Sequence, residues 1–433
     1  MENESKKTVN NRLFVSKRLI FYETIGPRVQ SVINESIILN YLKENSPISR
    51  AKISRDLNIS APTVSKIVDN LIKNNFVVET EKAKSSGGKR PTKLIFNKDI
   101  GFVLGIDLCK KRMIIAETDF EVNIINKYKG FKIIHTDVDI LDKIVREINS
   151  FLKKYDIDLR SSYKDKSFTA ISVAVPGNVD QNTGKIISAP LFKNWLDLNL
   201  RDYFEDRFGI PVYVENIVNL SAIGENNFSE GKKFSDLVFL EISNGIGAGI
   251  IIDNSLLRGS LSSAGEIGFT VTRPENLHFK YKIKGNLEKE ISIENIERKA
   301  MEDIKKGEKT KITDFARENL TEVDFSLICR AAKYGDEYAK SVINKIVDDI
   351  SIVIINLTLI LNPQIIVIGG QICSAPYIND LIVKPIKNIV KNIIPFSVPG
   401  IRLSKLGEDA AVLGASFMAV DSVMASRFPY KIR

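Results

Sequence analysis

The feature that most constrains this chain is a change of sequence pattern near Gly101. Before it, three short stretches repeat apolar residues at helical spacing; after it, strand patterns alternate with helical ones. Such alternation predicts an α/β domain, whereas three closely spaced helices predict a separate small module. A chain of 433 residues also exceeds what one ordinary hydrophobic core holds. We therefore predict at least two domains of different architecture.

The first two helical stretches are short and are separated by residues that break helices. The first has its apolar residues between Ile33 and Leu42. The second, Ser49 to Leu57, is expected to pack through Ala51, Ile53 and its last residue, and Asn58 then suits a left-handed turn. The two stretches predict a helix pair that continues into a third helix.

The third stretch has the signals of a helix start, with Ser60 as N-cap and Pro62 in the first turn. Apolar residues at i, i+3 and i+4 spacing follow, which buries one face. Two short helices joined by a tight turn predict a helix-turn-helix, whose second helix enters the major groove of DNA. The residues expected to contact DNA here are Arg50, Pro62, Thr63, Ser65 and Lys66.

A wing is predicted after the three helices. The strand patterns Phe76 to Thr80 and Thr92 to Phe96 flank the loop EKAKSSGGKRP. Its glycine pair lets backbone approach a duplex closely, and Lys84, Lys89 and Arg90 are expected to contact phosphates or the minor groove. The segment is therefore interpreted as a winged helix-turn-helix.

The distribution of charge supports a nucleic-acid partner. Residues 1–96 hold 17 Lys and Arg against 9 Asp and Glu, whereas the whole chain has a net charge of +9. A local basic excess is typical of a DNA-binding module, although a solvated basic face has the same composition. Residues 1–29 are expected to form a basic arm or an added helix.

The composition argues against several other classes of protein. Three scattered cysteines and two histidines favour neither a disulfide framework nor a metal site. No apolar run approaches the ~20 residues of a membrane span, and the N-terminus lacks a signal-peptide core. We expect a cytoplasmic protein without a membrane partner.

Six segments of the large region resemble signatures of the ROK family, which comprises sugar repressors, uncharacterised reading frames and sugar kinases. The segment VENIVNLSAIGE resembles the family's VENDANxAAxGE, and SSGGKRP is similar to the wing of the family's repressors. The resemblance covers residues 30–425. The matching segments of the large region are 175–180, 214–225, 243–249, 264–268, 361–370 and 406–415.

The resemblance implies a two-lobed actin-like ATPase fold with sugar and nucleotide between the lobes. It also implies that Asn216, Glu266 and Glu288 bind the sugar, because carboxylates and amides suit hydroxyl groups. Ile217 and Phe269 make this pocket more apolar than that of a hexokinase. The effector is therefore left open as a pentose, a larger glycoside or a compound that is not a sugar.

Departures from the family pattern argue against kinase chemistry. The family's kinases use an aspartate as general base where this chain has Ile217, which accepts no proton. The first phosphate loop reads Asp107 to Lys111 without glycine. The second, 243–249, keeps its glycines, which suit either a phosphate or a tight turn under a sheet.

The family's zinc site is also expected to be absent. The positions of its histidine and three cysteines hold Phe269, Phe279, Tyr281 and Asn286, none of which is an imidazole or thiolate ligand. We expect the aromatic residues to replace the metal by packing. No metal or other cofactor is predicted.

The sequence thus predicts an arm (1–29), a winged helix-turn-helix (30–98) and a ROK domain for effector binding and dimerisation (99–433). Its predicted function is transcriptional repression of carbohydrate genes, released by a sugar or related effector, without enzyme activity. The expected partners are a pseudo-palindromic operator and a second copy, as a homodimer or dimer of dimers. The alternative is a constitutive DNA-binding regulator whose ROK domain only dimerises; a sugar kinase fits least.

Overall fold

The structure is a computed structural model that describes residues 13–14, 27–80, 92–108, 112–131, 133, 139–159, 168–181, 183–189, 195–229, 234–278, 284–317, 319–428 and 431–432. Its N-terminal part has three helices and a two-stranded antiparallel ribbon, as predicted for a winged helix-turn-helix. The elements in chain order are β1 (Leu13–Phe14), α1 (Pro27–Asn45), α2 (Arg50–Leu57), α3 (Ala61–Lys73), β2 (Val77–Glu79) and β3 (Leu94–Phe96).

The helix boundaries of the module follow from local capping. Ser49 Oγ accepts the backbone N–H of Lys52, and Ser60 Oγ accepts that of Thr63. Asn58 ends α2 in the left-handed region at φ 53° and ψ 38°, a conformation that Asn adopts more readily than most residues. The predicted turn between the two helices is therefore confirmed.

One expectation about the module's core is wrong. Ala51 is exposed, whereas Ile53 is fully buried and Leu57 only partly. Helix α2 is eight residues long, so its buried face is narrow, and Ala51 lies two positions from Ile53 on the opposite side. The other core residues come from the remaining elements, chiefly Ile38, Leu42, Val64, Val68, Leu71, Leu94 and Phe96.

The large region contains two five-stranded mixed sheets, each the centre of one lobe. The first has the order β10-β7-β4-β5-β6 and the second β13-β12-β11-β14-β15. The strands of the first lobe are β4 (Gly101–Asp107), β5 (Ile114–Thr118), β6 (Ile124–Lys129), β7 (Phe168–Val175), β8 (Asn178–Val179), β9 (Ile186–Ser188) and β10 (Val212–Asn216). Those of the second lobe and the C-terminus are β11 (Leu237–Ile242), β12 (Ile246–Ile252), β13 (Ser255–Leu256), β14 (Ile365–Gly369), β15 (Gly400–Leu403) and β16 (Lys431–Ile432).

Helices cover both lobes, which completes the predicted α/β architecture. They are α4 (Ile140–Lys154), α5 (Leu200–Phe208), α6 (Ile217–Phe228), α7 (Asn286–Ile291), α8 (Ile293–Lys305), α9 (Lys311–Phe315), α10 (Phe325–Lys333), α11 (Glu337–Leu361), α12 (Lys384–Ile393) and α13 (Ala410–Arg427). Helix α13 packs on the first sheet, and α6 packs between α13 and strand β12 of the second. These two helices therefore connect the lobes.

Glycines allow the two connecting helices to lie unusually close. A methyl group at Gly414 of α13 would lie 1.8 Å from the carbonyl oxygen of Leu220, and one at Gly224 of α6 would lie 2.0 Å from that of Ala410. Real atoms do not approach so closely, so any side chain at either position would push the helices apart.

Helix α13 is long and apolar enough to span a membrane by length and composition. Of the 18-residue apolar window within Gly407–Arg427, however, 67% is buried inside the protein. A core helix has the same properties, because it too is apolar on every side. We interpret α13 as a core helix.

The winged helix packs directly on the end of α13. The rings of Phe76 and Phe428 meet edge to face, with centroids 4.8 Å apart, and Val423 and Met424 belong to the same buried cluster. Strands β1 and β16 pair beside this junction and join the two ends of the chain. One hydrophobic core thus continues from the DNA-binding module into the first lobe.

Candidate DNA-binding and effector sites

The start of α3 presents the residues predicted to contact DNA. Pro62 and Lys66 are exposed, and Thr63 and Ser65 are partly buried. The hydroxyls of Thr63 and Ser60 lie 2.7 Å apart, so the Thr63 side chain also supports the cap. The structure brings these four residues together on the first two turns of the helix, the part that a helix-turn-helix inserts into the major groove.

Arg50 has a structural partner set that the sequence did not reveal. Its guanidinium lies 2.8 Å from Asp69 of α3 and 3.0 Å from Glu79 of β2. A guanidinium held by two carboxylates of its own module joins α2, α3 and the ribbon. Lys52 and Arg55 of the same helix are exposed, and sequence reasoning passed over both. The predicted wing residues Lys84, Lys89 and Arg90 lie outside the described residues.

In the large region, Asn216 sits where strand β10 passes into helix α6. Its Oδ1 accepts the backbone N–H groups of Val218 at 2.8 Å and Asn219 at 3.3 Å. Its Nδ2 donates to the carbonyl oxygen of Gly177 at 3.0 Å, in the turn after β7. The predicted sugar ligand therefore also caps α6 and holds the neighbouring turn.

A buried ion pair beside Asn216 joins the two lobes. The Glu215 carboxylate, whose side chain is 2% exposed, accepts from Arg258 Nε at 2.7 Å. It also accepts from Asn219 Nδ2 and from the backbone N–H of Asn216. Arg258 follows β13 of the second lobe, so the pair fastens the loop after β13 to the end of β10. Sequence reasoning missed it, because no local signal links positions 43 residues apart.

Glu266 follows a glycine turn that lies against the second sheet. Gly265 has φ +87°, and a methyl group there would lie 1.9 Å from the carbonyl oxygen of Ala248. Its own carbonyl accepts the Ala248 N–H at 2.8 Å. Glu266 is exposed as a residue, but neighbouring protein atoms desolvate its carboxyl and raise the pKa of that group above its ordinary value, while a hydrogen bond from Asn178 of the first lobe lowers it.

Glu288 of α7 lies next to the same turn. A methyl group at Gly268 would lie 3.3 Å from Glu288 Oε2, and one at Gly285 would lie 2.1 Å from the carbonyl oxygen of Gly268. Backbone contact between these glycines places the start of α7 against the 3₁₀ turn Ile267–Phe269 that follows Glu266. The structure thus brings together the two segments that carry the predicted carboxylates.

The segment where the family has its zinc is held by hydrogen bonds and ion pairs. Asn286 is buried and accepts the Thr272 N–H at 3.2 Å. Arg273 pairs with Glu290 of α7 at 3.2 Å and with buried Asp349 of α11 at 3.3 Å, and Lys345 also pairs with Glu290. These contacts lower the pKa of Glu290, although burial opposes them.

The expectation that aromatic packing replaces the metal is not supported at Phe269. Its side chain is 46% exposed. Phe279 and Tyr281 lie outside the described residues. Within the described part of the chain, the candidate ligands of a metal ion do not form a group of three or more. Polar contacts of Asn286 and Arg273, rather than the Phe269 ring, hold this segment.

The second phosphate loop is shorter than the sequence suggested. Strand β12 begins at Ile246, so Gly247 and Gly249 pair with β11 and only 243–245 form a turn. A methyl group at Gly249 would lie 2.5 Å from the Ala222 Cβ atom of α6. The glycine there is therefore explained by helix packing.

The hydroxyl of Ser243 in this turn is bound to the carboxylate of Glu241 on β11. Ser243 Oγ donates to Glu241 Oε1 at 2.5 Å and accepts the Gln371 N–H at 2.8 Å. The hydroxyl of the turn is thus already engaged, and a negative charge that would repel a phosphate stands beside it. Asp107 of the first loop is buried, and Cys109, Lys110 and Lys111 lie outside the described residues.

Comparison with known proteins agrees with this geometry. The ROK family model matches residues 103–422, and a winged helix-turn-helix DNA-binding model matches residues 35–78. A xylose repressor of Caldicellulosiruptor bescii is 33% identical over 399 residues, which cover 91% of this chain and 96% of that protein. The DNA-binding transcriptional dual regulator NagC of Escherichia coli is 26% identical over 345 residues, 79% of this chain and 81% of its own.

Solved structures share the fold. A ROK family transcriptional regulator, a homolog of the Escherichia coli MLC protein, aligns with a TM-score of 0.74 and 24% identity, over 92% of this chain and 99% of its own. A ROK glucokinase of Streptomyces griseus aligns with a TM-score of 0.62 and 23% identity, over 74% of this chain and 100% of its own. The longer of these two matches includes the winged helix. The chain belongs to the ROK family, as a member with an N-terminal winged helix-turn-helix.

Proposed function

We propose that this protein is a transcriptional repressor that binds operator DNA through its winged helix and is released when a sugar binds between the lobes. The observation that carries the proposal is structural continuity between the two sites. Helix α6 begins at Asn216 in the cleft, packs along α13 through Gly224 and Gly414, and the end of α13 packs on the winged helix.

Closure of the lobes on a ligand would act through this pair of helices. Because α6 and α13 meet at backbone distance, neither can shift without moving the other. Movement of α13 reaches the DNA-binding module at the Phe428–Phe76 contact. Effector and operator then oppose each other with a coupling of about 1–3 kcal/mol, or roughly 5- to 150-fold in affinity.

The first sugar to test is a pentose. Relatives that cover nine tenths of this chain are named xylose repressors. Glu266 and Glu288 supply carboxylates that accept hydroxyl hydrogen bonds, and Asn178 lies within hydrogen-bond distance of Glu266. Exposed Phe269 gives the site an apolar wall against which a ring can pack.

We further propose that the protein transfers no phosphoryl group. Ile217 packs in the cluster between α6 and α13 and offers no base. In the phosphate turn, the Ser243 hydroxyl is already bound to the Glu241 carboxylate. The negative charge of that carboxylate would repel a phosphate. The Ile217→Asp variant should therefore remain inactive toward ATP and xylose, and sugar-dependent ATP turnover by the wild type would contradict the proposal.

The proposal also includes a homodimer that acts in the cytoplasm on a pseudo-palindromic operator, since helix-turn-helix proteins usually read two half-sites. Fluorescence anisotropy with DNA from the promoter of its own gene cluster tests it, with and without xylose. Lys66→Ala should weaken binding and reduce its salt dependence, whereas Lys73→Ala, the last residue of the same helix, should change it little.

Each result of this titration has a clear interpretation. If Lys66→Ala and Lys73→Ala lost equal affinity for the operator, the start of α3 would not be the part that lies in the major groove. Tight operator binding with no response to xylose or to other sugars, and no thermal shift by them, would favour the constitutive regulator.

A further inference from the structure

One loop of the second lobe contacts the first lobe at two points. The loop is 257–266, which follows strand β13. Near its start, Arg258 Nε donates to Glu215 Oε2 at 2.7 Å, at the end of β10. At its end, Glu266 accepts a hydrogen bond from Asn178 of β8. Both ends of the loop are therefore attached to the first lobe.

Backbone hydrogen bonds close the base of this loop. The carbonyl oxygen of Arg258 accepts the Ala264 N–H at 3.0 Å, which joins the start of the loop to its end. The Leu257 N–H donates to the Ile250 carbonyl oxygen of β12 at 2.7 Å, which holds the start against the second sheet. Arg258 and Glu266 therefore move together, as parts of one closed loop.

The Glu215 carboxylate connects this loop to the expected effector ligand of the first lobe. Its Oε1 accepts the backbone N–H of Asn216 at 2.8 Å and Asn219 Nδ2 at 3.0 Å, while Oε2 accepts from Arg258. The Glu215 side chain is only 2% exposed. Separation of the lobes at this point would take the cation away from a buried carboxylate, which is costly. The ion pair therefore favours the closed arrangement of the lobes.

The two contacts of the loop differ in how a sugar would affect them. Glu266 is itself an expected ligand, so a sugar hydroxyl can take the place of Asn178 beside it. Arg258 and Glu215 are not expected ligands, so a bound sugar leaves their ion pair intact. The ion pair therefore stabilises closure with and without an effector.

We propose that the Arg258–Glu215 ion pair is a latch that sets how readily the lobes close, and thereby the effector concentration that releases the protein from its operator. A ligand that binds only the closed form has an apparent affinity proportional to the closed fraction. The latch raises this fraction, so it tightens sugar binding. By the same equilibrium it weakens operator binding without sugar, because the closed form is the one that leaves DNA.

In this role Arg258 is a positioning residue. It acts through the loop that carries Glu266 and through the carboxylate that holds Asn216, rather than by contact with the sugar. The inference rests on the proposed function, since it assigns a regulatory element to the same cleft.

The first test measures two affinities of Arg258→Met in the full chain. The dissociation constant for xylose, by calorimetry, should rise about tenfold, because loss of a charge-assisted hydrogen bond lowers the closed fraction. Affinity for operator DNA without sugar, by fluorescence anisotropy, should increase several-fold. A residue that only stabilised the fold would not change the two affinities in opposite directions. An unchanged xylose affinity, or an operator affinity that does not increase, would overturn the latch.

Two further variants keep the test decisive if Arg258→Met folds poorly. Arg258→Lys keeps the positive charge but lacks the planar guanidinium, so it should show the same two changes at smaller size. The matched control is Asp336→Asn, because Asp336 is buried and accepts hydrogen bonds only within the second lobe among the printed contacts of its carboxylate, from Thr310, Lys311 and Ala339. It should lose stability without changing either affinity. If it changed both affinities as Arg258→Met does, general destabilisation would explain the result and the latch would be wrong.

The distance between the lobes tests the latch without sugar or DNA. Spin labels can be attached at Asn149→Cys on α4 of the first lobe and at Lys305→Cys on α8 of the second, since both positions are exposed. The three native cysteines are replaced by alanine in this background. With Arg258 present the labels should give one main distance, and Arg258→Met should add a second. Identical distance distributions would overturn the latch, whereas a wild type that does not respond to xylose would contradict the proposed function instead.

Discussion

The winged helix and the effector cleft are built from interactions of very different range. In the winged helix, Ser49 and Ser60 cap helices three residues away, and Asn58 turns the chain by its own backbone preference. In the cleft, Glu215 pairs with Arg258, and Glu225 pairs with Arg402 across 177 positions. The DNA-binding end is therefore specified locally, whereas the sensing end depends on the finished fold.

The largest effect should come from the buried pair of the cleft region. Glu225 is fully buried on α6 and accepts from Arg402, Ser404 Oγ and the Lys405 N–H. Glu225→Ala takes the carboxylate away from these donors and leaves Arg402 only the Ser229 hydroxyl, so the free energy of unfolding should fall by about 3–5 kcal/mol. Urea denaturation of the full chain measures it.

An exposed pair in the winged helix is the matched control for this variant. Asp69 binds Arg50 at 2.8 Å, but its side chain is 68% exposed. Asp69→Ala should therefore change stability by only ~0–1 kcal/mol. If Glu225→Ala and Asp69→Ala lost similar stability, the sequence distance between paired residues would not distinguish the two regions.

The next effect should come from the helix contact between the lobes. Gly414→Ala puts a methyl group 1.8 Å from the Leu220 carbonyl oxygen, and overpacking of this kind costs about 1–3 kcal/mol. In Gly247→Ala the nearest atom is a Val218 methyl carbon at 3.2 Å, which can turn aside. The melting temperature of Gly414→Ala should thus be well below that of Gly247→Ala. The reverse order would contradict close packing of α6 and α13.

The same contrast explains how much could be read from the sequence. The N-cap at Ser60, the left-handed Asn58 and the α/β class of the large region were predictable, because turn residues and apolar spacing carry them. Ala51 was misplaced, since an eight-residue helix buries too narrow a face for periodicity to identify. Resemblance to the family indicated Glu266 and Glu288, and the structure brings the segments that carry them together.

Other features of the cleft had no signal in the sequence. The hydrogen bond between the Ser243 hydroxyl and the Gln371 N–H joins segments 128 residues apart. The ion pairs of Arg273 with Glu290 and Asp349 hold the segment beside exposed Phe269. Such contacts depend on which segments of the chain the fold brings side by side, so no local pattern in the sequence signals them.

A smaller effect is expected where the two regions meet. Phe428→Leu keeps an apolar side chain but removes the edge-to-face contact with Phe76, worth about 0.5–1.5 kcal/mol. If α13 carries the response, xylose should then reduce operator affinity several-fold less than in wild type. Phe151→Leu on α4 removes a ring contact of the same centroid distance, 4.8 Å, with Tyr155 in the first lobe, outside α6 and α13, and should leave the response unchanged. Equal responses in the two variants would place the coupling elsewhere.

Within the winged helix alone, loss of a cap should have a modest and local effect. Ser60→Ala removes the acceptor for the Thr63 N–H and should cost about 1 kcal/mol. Amide exchange of α3 in the full chain should increase, while exchange in α6 remains at the wild-type rate. An increase in both would contradict the local character of the module.

The smallest expected effect is the contribution of Glu266 to the pH dependence of stability. The direction of this contribution is more informative than its size. Desolvation raises the pKa of this carboxyl in the folded protein above the value in the unfolded chain. As pH rises, the unfolded chain therefore loses its proton first, and stability falls until pH exceeds the raised pKa. Wild type thus bears a small penalty at neutral pH that disappears below about pH 4, where both states are protonated.

Glu266→Gln removes that charge and keeps the shape of the side chain. Its melting temperature should be slightly higher than that of wild type at pH 7, and the difference should vanish as pH falls toward ~4. The same variant should lose most of its thermal shift with xylose, because an amide can accept hydrogen bonds from hydroxyl groups with only one of its two terminal atoms. A gain in stability joined to a loss of ligand response is the mark of a residue kept for binding rather than for folding. If Glu266→Gln were instead less stable at pH 7 and still responded fully to xylose, the carboxylate would serve the fold, and the sensing site would lie elsewhere.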